Sequence, residues 1–182
     1  MNYYSDIPEL KFHLSHPLMK RIVELREKGF ADKDTFAEAP SDYDEAVENY
    51  DLVMEIAGDI AANIIEPNSE SVDMEGPHLV EGRMVYAEKT FGNLEAMNKA
   101  GLNGVSMPRR YGGLNFPIVS FTMLSEIVAA ADAGFQNIFG VIYGVKSDRV
   151  VLFQEVRASG KDKYRCECRY DCFRCFHSLF LH

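Results

Sequence analysis

From Gly101 to Gly140 the sequence reads GLNGVSMPRRYGGLNFP and then IVSFTMLSEIVAAADAGFQNIFG, a glycine-punctuated loop feeding an apolar run. This pairing constrains the chain most, because a rigid turn must deliver a buried helix. Gly101 follows a helical-looking run from Thr90 to Ala100, at the place where a left-handed terminating residue is expected. Gly104 allows a further close or positive-φ approach, Pro108 cannot continue a helix, and Gly112-Gly113 gives a bend that side chains would obstruct. Tyr111 is placed to pin the loop by packing its ring and bonding its hydroxyl. After Pro117, which suits a first helical turn, Val119, Met123, Leu124, Ile127 and Val128 recur at helical spacing up to an Asp132-Ala133-Gly134 break.

Upstream, residues 1–40 read as an extension containing one helix. Pro17 suits its first turn, and Leu18, Met19, Ile22, Val23 and Leu25 lie mainly on one face before Gly29. Residues 41–140 read as the main helical domain. Ser41 is the expected N-cap of a long helix, with Asp44 and Glu45 favouring its N-terminus. Ala46, Val47, Tyr50, Val53, Met54, Ala57, Ile60, Ala61 and Ile64 follow at steps of three and four, and Pro67 is expected to stop the helix near Ile65. A polar stretch then leads to HLVEGRMVY, where Glu81-Gly82 separates two apolar pairs in the manner of a small hairpin. Helical spacing resumes through Phe91, Leu94, Met97 and Ala100, so the fold class expected is mainly α, an up-down bundle of helices.

At 182 residues and 47% hydrophobic content, the chain is long enough for one ordinary globular domain with a tail. Its net charge of -9 argues against nonspecific nucleic-acid binding, which needs a basic surface to displace counterions from phosphates. The acidity is uneven: residues 1–140 carry 11 basic and 23 acidic side chains, net -12, whereas residues 141–182 carry 8 and 5, net +3. No apolar run approaches the roughly 20 residues of a membrane span. The start, MNYYSDIPELKF, lacks the basic region and apolar core of a secretory signal, so a cytoplasmic location is the expectation.

Several of these features, in their order and spacing, resemble the N-terminal helical domain of the flavin-dependent acyl-CoA dehydrogenases. They are the helix ending in Ile65-x-Pro67-Asn68, the Asp73-x-Glu75-Gly76 turn, Gly101-x-x-Gly104, Pro108-x-x-Tyr111-Gly112-Gly113, and Glu126 inside the next helix, covering roughly residues 45–140. The extension PELKFHLSHPLMKRI and the insert EGPHLVEGRMVYA are most similar to the subgroup that includes methylthiopropionyl-CoA dehydrogenases. The resemblance implies an N-terminal helical layer of an enzyme that α,β-dehydrogenates an acyl-CoA thioester. Its FAD binds between this layer, a β-domain and a second helical domain, and its electrons pass to electron-transfer flavoprotein or another acceptor. The intact enzyme is expected to be a homo-oligomer. In that chemistry a glutamate removes the α-proton and the β-hydrogen leaves as hydride to the flavin. The family's base lies in the C-terminal domain and its flavin-contacting Thr-Glu-Pro and Gly-Ser-Asp motifs in the middle domain. Neither motif is found here, so no residue is assigned as catalytic and the chain alone is expected to be inactive.

By the same likeness, the segment after the helix of Glu126 borders the acyl pocket, which puts Gln136, Asn137 and Gly140 near substrate. A mostly apolar slot with few polar groups suits such a chain, and a glycine leaves room for it. A plainer reading, and the weightier one, makes Gln136 and Asn137 caps at a helix end.

After Gly140 the sequence VIYGVKSDRVVLFQEVRASGKDKYRCECRYDCFRCFHSLFLH lacks the run expected before the β-domain, and all four cysteines fall within it. This pattern suggests an unrelated, poorly ordered tail over 141–182 created by a frameshift or premature stop, to be checked by translating the downstream DNA in the other frames. An alternative function class is a noncatalytic helical interaction module whose Cys166, Cys168, Cys172, Cys175 and His177 collect a metal. The C-x-C-x3-C-x2-C spacing matches no familiar zinc site, and reduced free thiols are the simpler expectation, so no metal ligand is assigned. The remaining candidates also have plain readings. Glu126 is expected to pair with Arg109 or Arg110, His13 and His16 to cap a helix start, and Met19, Met54, Met97 and Met123 to fill the core. Asp32, Asp34, Asp42 and Asp44 lack the glycine and terminal glutamate of a calcium loop.

Overall fold

The computed structural model describes residues 1–141, and the tail cysteines and His177 lie outside them. The described chain is mainly α-helical, with α1 (Pro8–Ser15), α2 (Met19–Arg26), α3 (Tyr43–Ile60), α4 (Glu66–Glu75), α5 (Glu88–Lys99) and α6 (Ile118–Ala131). A further helix, α7, covers residues 133–141. Two short strands, β1 (His78–Val80) and β2 (Arg83–Val85), form an antiparallel hairpin with Leu79 opposite Met84. Its turn is Glu81-Gly82, as the sequence predicts, with φ of 52° and 77° matching the twist of a two-residue hairpin loop.

The first forty residues contain two helices, not the single one expected. Pro8 opens α1, where a missing N–H costs nothing, and Leu10 and Leu14 bury one turn apart. The alternation of Leu10, Phe12 and Leu14 obscures that period, and Phe12 is exposed. In α2 the buried residues are Met19 and Val23, whereas Leu18 and Leu25 face outward.

Helix α3 is the central element, and it touches α1, α2, α5 and α6. Its N-cap is Asp42 rather than Ser41. The Asp42 carboxylate accepts from the Glu45 N–H at 3.0 Å, while Glu45 reaches back to the N–H and hydroxyl of Ser41 at 2.7 and 2.6 Å. The two expected capping partners are thus present, displaced by one residue. A buried stripe runs through Ala46, Tyr50, Met54, Ala57, Ala61 and Ile65, and Met19, Met97 and Met123 join it in the core.

Pro67 does not stop this helix. Residues Ala61–Ile65 form a π-helical turn in which the Glu66 N–H bonds the Ala61 carbonyl, five residues back. Pro67 has no N–H to give the Asn63 carbonyl, and its ring would collide with that carbonyl in a regular helix. The wider turn removes the conflict, so the segment expected to be a polar loop continues as α4 until Gly76, whose φ is 60°.

The chain's first residues lie along α3 at Gly58. Asn2 donates to the Glu55 carbonyl at 3.0 Å, and the Tyr3 N–H reaches the Gly58 carbonyl at 3.3 Å. A Cβ at position 58 would collide with the Asn2 side chain and stand 2.7 Å from the Tyr4 backbone nitrogen. Tyr4 is fully buried, with its hydroxyl on Asp51 at 2.5 Å. Gly58→Ala is therefore expected to push the N-terminal segment off α3 and destabilise the protein by about 1–3 kcal/mol, read from urea unfolding. An unchanged midpoint would show that Asn2–Tyr4 contributes no stability.

Candidate functional site

The loop between α5 and α6 is as rigid as its sequence demands. Gly101 and Gly112 adopt left-handed φ of 72° and 81°. A side chain on Gly113 would strike Met107, and Gly104 lets the Gly113 Cα come within 3.4 Å of where its own Cβ would stand. The loop folds back on itself through Leu114 N–H to the Gly104 carbonyl, Asn115 N–H to Met107 and Phe116 N–H to Val105, at 2.9, 2.8 and 2.8 Å. What steadies the Tyr111 ring is the Arg110 guanidinium, 4.6 Å from its centroid, rather than the expected hydroxyl bond.

The loop is fastened from an unexpected direction. Arg109 does not meet Glu126, which is exposed. It makes a two-pronged, fully buried pair with Glu27 at the end of α2, its Nη1 and Nη2 donating at 2.5 and 3.1 Å. The neighbouring Arg26 donates through Nε to the Asn115 carbonyl at 3.0 Å and through Nη2 to the Ser106 carbonyl. Asn115, at a left-handed φ of 61°, returns its amide toward Glu27 and the Arg26 carbonyl, both at 3.4 Å. One sequence signal was available for Glu27: an acidic residue in the last turn of a helix opposes the dipole and calls for a cation elsewhere. The Tyr50 hydroxyl is buried nearby and faces the Glu27 carboxylate, close enough to feel it but outside good hydrogen-bond geometry. Burial, then the Glu27 charge, raises its pKa well above the ordinary tyrosine range, while Arg109 and Arg26 pull the other way.

From this platform Pro117 starts α6, which buries Met123, Leu124, Ile127 and Val128 as its spacing predicts. Asp132 ends it at a φ of -158° and opens α7, accepting the Phe135 N–H at 2.9 Å. Asp132 is therefore the cap, and the reading of Gln136 and Asn137 as caps is overturned. Both lie inside α7, whose Phe135 and Phe139 are buried in the core. Asn137 is exposed, its amide turned back on the Ala133 carbonyl at 3.0 Å. Gln136 and Gly140 stand one turn apart and half-buried, and a Cβ at 140 would be 3.5 Å from Gln136 Nε2. The structure thus brings Gln136 and Gly140 to one margin of α7 and leaves Asn137 outside it. Neither histidine caps a helix start: the His16 Nδ1 accepts the Leu18 N–H at 3.2 Å in the turn between α1 and α2, whose N-cap Leu18 receives no side-chain cap, and His13 sits in the last turn of α1.

The described residues do not fit a flavin by themselves. The glycine-rich loop offers no free amides to a phosphate at these positions, because the N–H groups of Gly104, Met107, Gly112 and Gly113 all bond carbonyls within the loop. Arg109 is committed to Glu27, and Lys99, the cation beside the groove between α3 and α5, pairs with Glu95 at 2.8 Å. No group of three or more metal-binding side chains comes together among the described residues, and no helix among them is long and apolar enough to cross a membrane.

Two outcomes are expected from the buried cluster. Glu27→Ala should cost about 3–5 kcal/mol by stranding the Arg109 charge, whereas the double change Glu27→Leu with Arg109→Met should restore most of that loss. A double variant as weak as the single one would show that a stranded charge is not what makes the single change costly. Tyr50→Phe removes a buried hydroxyl whose contact with Glu27 is at best weak, and should be neutral or stabilising by up to about 1 kcal/mol. Because the folded pKa of Tyr50 is raised, its contribution is complete below the unfolded value of about 10 and is lost as pH rises through the folded one. The variant should therefore resist alkaline unfolding better, and an unshifted alkaline midpoint would contradict this account.

Comparison with known proteins agrees with the helical layer just described. The model of the acyl-CoA dehydrogenase N-terminal domain matches residues 48–153, running from the first turns of α3 to beyond Gly140. A search of curated proteins finds no match. The match covers more than half of the chain and includes the loop, α6 and α7, and on that basis the chain belongs to the acyl-CoA dehydrogenase family, of which these residues are the N-terminal domain.

Proposed function

We propose that the chain is the N-terminal part of an FAD-dependent acyl-CoA dehydrogenase, with α6 and α7 forming one wall of the acyl pocket and covering the flavin. The observation that carries this reading is the pairing of Gln136 and Gly140 on one margin of α7, in a segment that matches the family's N-terminal domain. Burial of Phe135 and Phe139 fixes the rotation of α7, so that margin is held in place. A position without a side chain beside one amide suits an apolar chain that must slide past with few polar contacts. Asn137, turned to its own helix, is assigned a supporting place at the rim.

The cofactor and the proton acceptor are assigned to parts of an intact enzyme outside residues 1–141, since the loop amides and buried arginine here are already committed. When bound there, FAD supplies the redox chemistry, and this layer supplies shape and exclusion of water. In the intact enzyme we assign acyl-CoA as substrate, electron-transfer flavoprotein or a similar acceptor as partner, a homo-oligomeric assembly and a cytoplasmic setting.

Purified chain should be colourless and show no saturable binding of added FAD, and stoichiometric flavin would overturn the placement of its site elsewhere. Joined to the middle and C-terminal domains of an acyl-CoA dehydrogenase, residues 1–141 should support acyl-CoA-dependent dye reduction. In that enzyme Gly140→Leu should raise KM for long acyl chains by roughly tenfold over short ones. An equal effect on both would remove Gly140 from the pocket.

A further inference from the structure

An apolar ridge, Leu52, Ile56, Ile60 and Ile64, runs along α3 and its π turn at steps of four residues. Beside its first half, Asp51 and Glu55 are already engaged by Tyr4, Ser5 and Lys11. Its second half ends in a groove of about 520 Å³, with Ile60 and Ile64 on one side and Gly92, Ala96 and Ala100 of α5 on the other. The exposed side chains of Glu95 and Lys99 complete the lining on the α5 side.

The described fold does not account for this groove. Gly92 stands in the interior of α5, where glycine costs helix stability relative to alanine. Yet its φ is not left-handed, and no atom lies within 4 Å of where its Cβ would stand. Ile64 is 37% exposed in the same place. Gly92, Ala96 and Ala100, one turn apart, keep this side of α5 free of bulk, so another helix can approach to the short end of the usual range of about 8–10 Å.

The charges select which helix. Two α5 helices laid antiparallel about a twofold axis at Ala96 bring Gly92 of each opposite Ala100 of the other. Each Glu95 then lies only about 3 Å along the axis from the level of the other copy's Lys99, within side-chain reach. The 2.8 Å pair within each chain thereby becomes a ring of four charges alternating in sign. A parallel arrangement would set Glu95 on Glu95 and Lys99 on Lys99, which is unfavourable. A surface that complements itself about a twofold axis is what an isologous contact requires.

We propose that two copies of this chain associate through their α5 helices, packed antiparallel about Ala96, each lying in the other's groove against Ile60 and Ile64. This gives the homo-oligomeric assembly assigned above a surface. Gln136 and Gly140 take no part in it, so its failure leaves the acyl-pocket reading standing. The contact is small and belongs with weak interfaces of less than about 1,200 Å².

Sedimentation equilibrium of the reduced full-length chain should show a monomer–dimer equilibrium with a Kd between about 1 μM and 1 mM. Gly92→Gln places a better helix former in open space, so its Tm should equal or exceed the parent's, while the Kd should rise at least about tenfold. Glu95→Lys should also raise the Kd about tenfold, and adding Lys99→Glu should restore it. A chain that stays monomeric to about 1 mM overturns the proposal, and the groove then serves another partner or water alone. A dimer indifferent to Gly92→Gln overturns it too, because the copies then meet elsewhere. Should Gly92→Gln fail to fold, the charge exchange decides: a double variant no tighter than Glu95→Lys alone refutes the antiparallel pairing.

Discussion

The Glu27–Arg109 fork is the contact on which the arrangement of the site depends. It joins positions 82 residues apart and lies at side-chain exposures of 1% and 3%, so water does little to weaken it. A buried pair of this kind contributes little net stability compared with apolar residues of the same shape, because both charges lose their hydration. Its effect is on which arrangement is allowed. With Arg109 in place, only an approach of the loop that presents its guanidinium to the end of α2 avoids an unpaired buried charge. Asn115 adds its amide to Glu27 and Arg26 ties down the Asn115 and Ser106 carbonyls, so the loop is seated on the end of α2, although the Arg109 Nε is buried without a hydrogen-bond partner.

That seat propagates to the margin assigned to substrate. Phe116 is fixed by its N–H bond to Val105 and by ring contact with Tyr50, 4.4 Å between centroids, and Pro117 follows immediately to start α6. The direction of α6 sets where Asp132 breaks the chain, and the aspartate cap sets where α7 begins. Gln136 and Gly140 are thus positioned from α2 through a chain of packed elements, although neither touches it. The first forty residues contribute Tyr4, Leu10, Leu14, Met19 and Val23 to the same core cluster as α3 and α6, so they act on the site through shared packing.

Local chemistry made much of this legible in the sequence. Glycine, proline and helical period identified α3, α5, α6, the hairpin turn and the loop, because in those places short-range sterics decide the outcome. The departures have a common cause. Pro67 forbids a regular α-helix, but it does not forbid a widened one, and the packing of Ala57, Ala61 and Ile65 selects continuation over a loop. Arg109 found Glu27 instead of Glu126 because sequence proximity says nothing of which helix end faces the loop. The cap at Asp132 displaced the capping role given to Gln136 and Asn137, since the earliest residue able to accept an N–H starts the helix and leaves later ones inside it.

The acidic face of α3 follows from a different kind of constraint. A central helix is expected to bury one stripe and solvate the rest, and α3 does bury Ala46, Tyr50, Met54 and Ala57. Solvation alone does not call for Leu52 and Ile56 on the wet side, since any polar residue would serve there without loss. Nor does it call for the absence of every Lys and Arg over 33 residues, because mixed charges would reduce repulsion along the helix. Both departures raise the cost of leaving the face bare, and both lower the cost of covering it with something apolar and positive. The π turn adds to this by carrying the ridge into the groove beside α5, so that α3 presents one continuous apolar track. The helix that organises the core on its inner side thus meets the chain's own N-terminal segment along Asp51 and Glu55 on its outer side, through Tyr4, Ser5 and Lys11, and leaves Leu52 and Ile56 exposed beside it.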